Sequence, residues 1–108
     1  MNQAGPAWGY LVIWEFRVRS GREQKFQEIY GSAGDWAQLF RQSSGYIGTE
    51  LTRDLQRPGR YVTLDYWMTF EAYQKFRSQH EQAYASLDAA WGELTEHEAV
   101  LGEFGNVR

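Results

Sequence analysis

The stretch from Phe70 to Trp91 limits the choice of fold more than any other. At about 100° per residue, Phe70, Tyr73, Phe76, His80, Tyr84, Leu87 and Trp91 fall within roughly one third of a helix circumference. Glu71, Lys75, Ser78, Gln79 and Gln82 occupy the opposite side. Thr69 stands where a side chain can cap the first turn, and Gly92 where the helix can stop. A long helix with a stripe built mostly of rings needs a broad apolar surface to lie on, and a sheet supplies one.

The rest of the chain reads as that sheet. From Trp8 to Arg19, Tyr10, Val12, Trp14, Phe16 and Val18 alternate on one face of a strand. The other face carries Leu11 and Ile13, then Glu15 and Arg17. Ser20-Gly21 is a turn, and Phe26, Ile29 and Tyr30 follow at helical spacing. Gly31 and Gly34 interrupt that helix. Asp35 with Gln38 resembles a capping box for a second short helix that buries Trp36, Leu39 and Phe40. Tyr46 to Leu55 and Tyr61 to Met68 read as strands around the turn "QRPGR", so they form a hairpin. His97 to Phe104 is the last strand.

The string βαββαβ predicts a ferredoxin-like α+β fold, an antiparallel sheet with helices on one face. Residues 8–105 form this single domain, and residues 1–7 a loose tail. Leu11 and Ile13 would then face away from the helices. Their cover is a second copy of the chain stacked sheet on sheet.

Composition removes several functions. The 108 residues carry a net charge of −3, and no basic run exists, so nucleic-acid binding lacks electrostatic support. There is no cysteine, and two histidines without a helical carboxylate partner make no metal site. No apolar run approaches the roughly 20 residues that span a membrane. The N-terminus has no basic and apolar signal-peptide regions, which predicts a cytoplasmic protein. "GSAGDW" lacks a phosphate-loop pattern, and no serine sits in a nucleophile elbow.

The layout, and above all "YVTLDYWMTFEAYQKFRSQHEQAYASLD" (Tyr61 to Asp88), resembles the antibiotic-biosynthesis-monooxygenase-like domains of the dimeric α/β-barrel superfamily. The likeness covers about residues 8–105. It implies a homodimer of ferredoxin-like protomers whose sheets form a barrel. Members include cofactor-free oxygenases that turn phenols into quinones, and haem-degrading enzymes. In several, a Trp at a strand end and a His on the second long helix line the cavity. Trp67 matches the first and His80 falls near the second. Phe76 stands where many relatives carry another His. The haem-degrading members use an Asn on the first strand, and "IWEFR" (Ile13 to Arg17) has none.

These residues frame three readings. The first is a small cofactor-independent monooxygenase acting on an aromatic or polyketide-like substrate. His80 would be the base, Trp67 and Tyr84 the orienting donors, and Trp14, Trp36, Tyr73 and Phe76 the cavity wall. The second is a non-catalytic module that binds a flat apolar ligand such as haem, with His80 on the iron. The third is a stress-associated barrel protein whose interior is filled by its own side chains. His80 and Trp67 are equally compatible with packed core. Asp65 alternates onto the face of Trp67. It either pairs with Arg17 or His80 or sits at an interface or in solvent. Glu15 and Arg17 read as interface or cross-strand ion pairs, and His97 as exposed.

Overall fold

Alternation along the strands sets the layering. The computed structural model describes residues 7–107. The expected tail over 1–7 therefore lies outside the described residues except for residue 7. The elements are β1 (Tyr10–Val18), α1 (Glu23–Tyr30), α2 (Asp35–Phe40), β2 (Tyr46–Arg53), β3 (Arg60–Trp67), α3 (Phe70–Gln79), α4 (Glu81–Trp91) and β4 (Thr95–Phe104). A 3₁₀ turn at Gly92–Leu94 links the last two. The strands form one antiparallel sheet in the order β2-β3-β1-β4. This is the ferredoxin-like arrangement that the order of periodicities predicts. No helix among the described residues is long and apolar enough to cross a membrane.

β3 alternates strictly between half-buried and buried residues. Tyr61, Thr63, Asp65 and Trp67 point to the helices, opposite Phe16, Trp14, Val12 and Tyr10 of β1. Phe26, Ile29 and Tyr30 of α1, Trp36, Leu39 and Phe40 of α2, and Phe76 of α3 close over this face. Trp67 is fully buried. Its ring lies 5.3 to 5.5 Å from the rings of Phe40, Tyr46, Tyr73 and Phe76. Thr69 caps α3, its hydroxyl accepting from the Ala72 N–H at 3.0 Å.

Two expectations need correction. The stripe from Phe70 to Trp91 is carried by two helices, not one. His80, at φ −121° and ψ 31°, ends α3 and starts α4. The break aims the two halves at different targets. Phe76 packs on Trp67, whereas Tyr84 meets Trp36 at 4.8 Å between ring centres. No Gly or Pro marks this break in the sequence. The second correction concerns α2, which has no capping box. Gly34 is its N-cap, Asp35 lies inside the first turn, and the Gln38 side chain donates to the Ala33 carbonyl at 3.0 Å. A side chain at Gly34 is impossible without movement, because a Cβ there would lie 2.4 Å from the carbonyl oxygens of Glu28 and Ile29.

Trp67 is the hub of this packing. Trp67→Ala should lower the unfolding free energy by about 3–5 kcal/mol, measured by urea denaturation. A loss below about 1 kcal/mol would mean that the surrounding rings collapse into the space and do not depend on it.

Candidate functional site

A partly enclosed cavity of about 250 Å³ lies between the sheet and the helices. Its floor is polar, formed by Thr63 and Asp65 of β3 and Thr49 of β2. Its walls are aromatic: Trp14 and Phe16 from β1, Tyr30 from α1, Trp36 and Phe40 from α2, and Tyr84 from α4. Its rim is charged, with Arg77 of α3, Asp88 of α4 and Glu98 of β4, all exposed. Strand alternation builds the floor, since Thr63 and Asp65 share the helix-facing side of β3 with Trp67.

Of the residues singled out in the sequence, Trp14, Trp36 and Tyr84 line this cavity. Trp67, Tyr73, Phe76 and His80 do not. Phe76 packs against both Trp67 and His80, its ring 5.3 Å from the first and 5.1 Å from the second. His80 is half-buried, stacked on Phe76, with no side-chain hydrogen bond among the described residues. Tyr73 lies behind the wall, its hydroxyl accepting from Arg77 Nη1 at 3.0 Å. Arg77 also stacks on Tyr84, with Cζ 3.8 Å from the ring centre.

Asp65 is the residue whose setting departs most from expectation. It is 6% exposed and faces neither solvent nor an interface. Arg17 is exposed on another part of the sheet, and His80 is held away on Phe76, so neither offers it a partner. Its Oδ1 accepts from the Thr49 hydroxyl at 2.6 Å. Among the described residues, Oδ2 accepts no hydrogen bond. Burial pushes the carboxyl up to about 6, and the Thr49 hydrogen bond opposes that rise. Burial also raises the phenols around the cavity. Tyr30 is pushed up to about 12, and Tyr84 rises despite the nearby Arg77 charge, so both are neutral at pH 7. The Trp36 indole, beside Tyr30, is buried without a hydrogen-bond partner for Nε1.

Chemically, the arrangement is an aromatic slot with one carboxylate at its base. Among the described residues no His, Cys or Met lines it, so they offer no imidazole or sulfur ligand to a haem iron. No cluster of three metal-ligating side chains occurs among the described residues. Arg77, Thr49 and Thr63 were not foreseen in the sequence. Asp65 carried a signal: it stands two residues before a buried Trp on an alternating strand.

The carboxyl predicts a pH dependence. Its folded-state value lies above the unfolded value, so the folded protein holds the proton more tightly. The penalty for burying the charge is absent below about pH 4, grows between about pH 4 and 6, and is complete above. It amounts to about 3 kcal/mol. Asp65→Asn should therefore be more stable than the parent protein at pH 8 and no more stable at pH 4, as read from urea unfolding at both. A pH-independent difference would mean that Asp65 is not desolvated.

A family model described as antibiotic biosynthesis monooxygenase matches residues 9–87, more than half of the chain. None of the curated proteins matches the sequence significantly. Several solved structures share the fold. SnoaB from Streptomyces nogalater, described as a cofactor-independent oxygenase, superposes with a TM-score of 0.75 at 18% identity, covering 94% of this chain and 96% of its own. A candidate antibiotic biosynthesis monooxygenase from Bordetella bronchiseptica gives 0.70 at 23% identity, covering 94% and 99%. Another from Caulobacter crescentus gives 0.70 at 16%, covering 94% and 93%. At these identities the likeness bears on the fold.

Proposed function

We propose that this chain, which belongs to the antibiotic biosynthesis monooxygenase family, is a small cofactor-independent monooxygenase that oxidises a hydroxylated aromatic molecule. The observation that carries this reading is the aromatic cavity with a buried carboxylate in its floor. Oxidation without a cofactor requires a substrate that becomes an electron-rich anion and itself reduces dioxygen. The overall conversion of a ring C–H of a phenol to a quinone carbonyl takes up one dioxygen and releases one water. The ring supplies all four electrons. The protein's part is to hold the ring, promote loss of a proton and exclude water. The description of SnoaB as a cofactor-independent oxygenase supports this chemistry.

The volume narrows the substrate. About 250 Å³ is near the lower end of small-molecule pockets. It suits a small fused-ring skeleton and not a porphyrin. The flat walls of Trp14, Trp36 and Tyr84 would stack on such a ring system. Arg77 at the rim would meet a polar substituent left outside.

The working form in this reading is a homodimer. Leu11 and Ile13 of β1, with Val62, Leu64 and Tyr66 of β3, lie on the sheet face that the helices leave uncovered. Leu11 is already buried within the chain, and a second copy stacked there would take the half-buried Ile13, Val62, Leu64 and Tyr66 out of water.

Two measurements test the reading. Anthrone, the keto tautomer of a three-ring phenol, should be converted to anthraquinone with one dioxygen consumed per product, faster than in buffer alone. Trp36→Ala should lower kcat/KM by at least about tenfold, or 1.4 kcal/mol. Turnover no faster than background would remove the oxygenase reading. For assembly, sedimentation equilibrium should give twice the chain mass, and Leu64→Glu should give the monomer. A parent protein that is monomeric at micromolar concentration would remove the dimer.

A further inference from the structure

The hydrogen bonds around Asp65 run in one direction. Thr49 has a single hydroxyl hydrogen, and it is donated to Asp65 Oδ1 at 2.6 Å. The contact of 2.7 Å between the Thr49 and Tyr46 hydroxyls must then be donated by Tyr46. The chain runs Tyr46 to Thr49 to Asp65, and every donor points at the carboxylate.

A backbone irregularity makes this possible. Residues three apart on a regular strand face opposite sides of the sheet. On β2 the register shifts between Tyr46 and Gly48, where Tyr46 pairs with Trp67 and Gly48 with Tyr66. Ile47 is the extra residue of a bulge. The shift brings Tyr46 and Thr49 to the same side, beside Trp67 and Asp65.

The other groups around the cavity leave Oδ2 free. Arg77 on α3 is engaged by Tyr73 and Tyr84. Tyr84 and Asp88 of α4, Tyr30 of α1 and Glu98 of β4 complete the titratable groups of the wall and rim. Tyr10 on β1, next to Asp65, is committed to Glu103 at 2.7 Å. None of these donates a hydrogen bond to Asp65. A buried carboxylate with one oxygen held by a donor chain and the other unpaired in a ligand-sized space is a proton acceptor without a resident proton source.

We propose that Asp65 is the catalytic base of this cavity, removing a proton from a bound hydroxyaromatic through Oδ2 while Thr49, backed by Tyr46, holds Oδ1. The proposal rests on the oxygenase reading and assigns to Asp65 the role that the sequence suggested for His80. In the step, the substrate O–H bond breaks and an O–H bond forms at Oδ2. The electron pair stays on the substrate oxygen, giving a phenolate that can reduce dioxygen. The proton leaves later with the product water. A carboxyl raised toward neutrality by burial is well matched to this task, because it is ionised at pH 7 yet more basic than an exposed aspartate. Thr49 and Tyr46 are positioning residues.

The first arm of the test is kinetic, with anthrone, whose enol form carries the hydroxyl. Asp65→Asn should reduce kcat by about 10²–10⁴-fold with little change in KM. The parent kcat should rise with pH through an apparent pKa near that of the buried carboxyl, and the step should vanish in Asp65→Asn. Thr49→Val, which removes the donor to Oδ1, should move the step to higher pH, and Thr49→Ser should restore it. A kcat unchanged in Asp65→Asn, or an equal loss in His80→Ala, would overturn the assignment.

The second arm needs no turnover and so separates this assignment from the oxygenase reading. 2-Naphthol becomes strongly acidic in its excited state and emits as naphtholate only when an acceptor is at hand. Bound to the parent protein it should emit as naphtholate, and bound to Asp65→Asn as the neutral phenol. Identical emission from both, or no binding to the parent protein, would overturn the proposal even if anthrone is oxidised. Naphtholate emission lost in Asp65→Asn would support it even if anthrone is not.

Discussion

A carboxylate on an inner strand, taken out of water with one hydroxyl donor to compensate, is the constraint around which this molecule is arranged. Desolvating Asp65 works against folding at neutral pH. A small domain has little stability to spare. The compensating gain comes from the same side of the sheet. Tyr61 and Trp67 on β3, with Phe26, Phe40 and Phe76 from three helices, supply a ring-rich core in which Trp67, Phe26 and Phe76 are essentially fully buried. The aromatic content visible in the sequence thus has a division of labour. Rings near Trp67 hold the fold, and rings near Trp36 enclose empty space.

That division depends on the break at His80. An unbroken helix would lay Phe76 and Tyr84 against one continuous track. With the break, α3 seals the end of β3 and α4 lies over Trp36 with Tyr84, Leu87 and Trp91 only half-buried. The two aromatic groups meet at Phe40, whose ring lies 5.5 Å from Trp67 and 5.9 Å from Trp36, and the cavity lies on the Trp36 side of it. His80 serves the site through the backbone, by redirecting the chain, while its imidazole rests on Phe76.

How much of this was legible follows from which interactions are local. Period-two and period-3.6 patterns report faces, so strand order, the hairpin at Pro58-Gly59, the Thr69 cap and the helix-facing residues of β1 could be read directly. The break at His80 has no local marker. Neither has the bulge at Ile47, which sets the Tyr46–Thr49–Asp65 chain, because a bulge is fixed by what the opposing strand requires. The resemblance to known oxygenases drew attention to Trp67 and His80. Alternation alone, followed two residues back from Trp67, reaches Asp65. Unpaired carboxylates are rarely buried, and that prior favours solvent or an interface for Asp65. That same prior makes a buried one informative.

The two faces of the sheet treat charge in opposite ways. Toward the helices, Asp65 has no cationic partner among the described residues and its carboxyl rises. On the other face, Glu15 is paired with Arg60, which also holds Asp54 at 3.0 Å, and the Glu15 carboxyl falls, chiefly through its hydrogen bond from Arg60. His97 Nε2 lies 3.5 Å from the same Glu15. Arg60 lowers the Glu15 and Asp54 carboxyls and is itself raised by them, so these ion pairs favour the charged forms and suit a structural role. A cation beside Asp65 would stabilise its charged form and make it a weaker base. The lack of an ion pair is therefore what distinguishes the carboxylate in the cavity floor from the one across the sheet, and it is the property that proton abstraction at pH 7 requires.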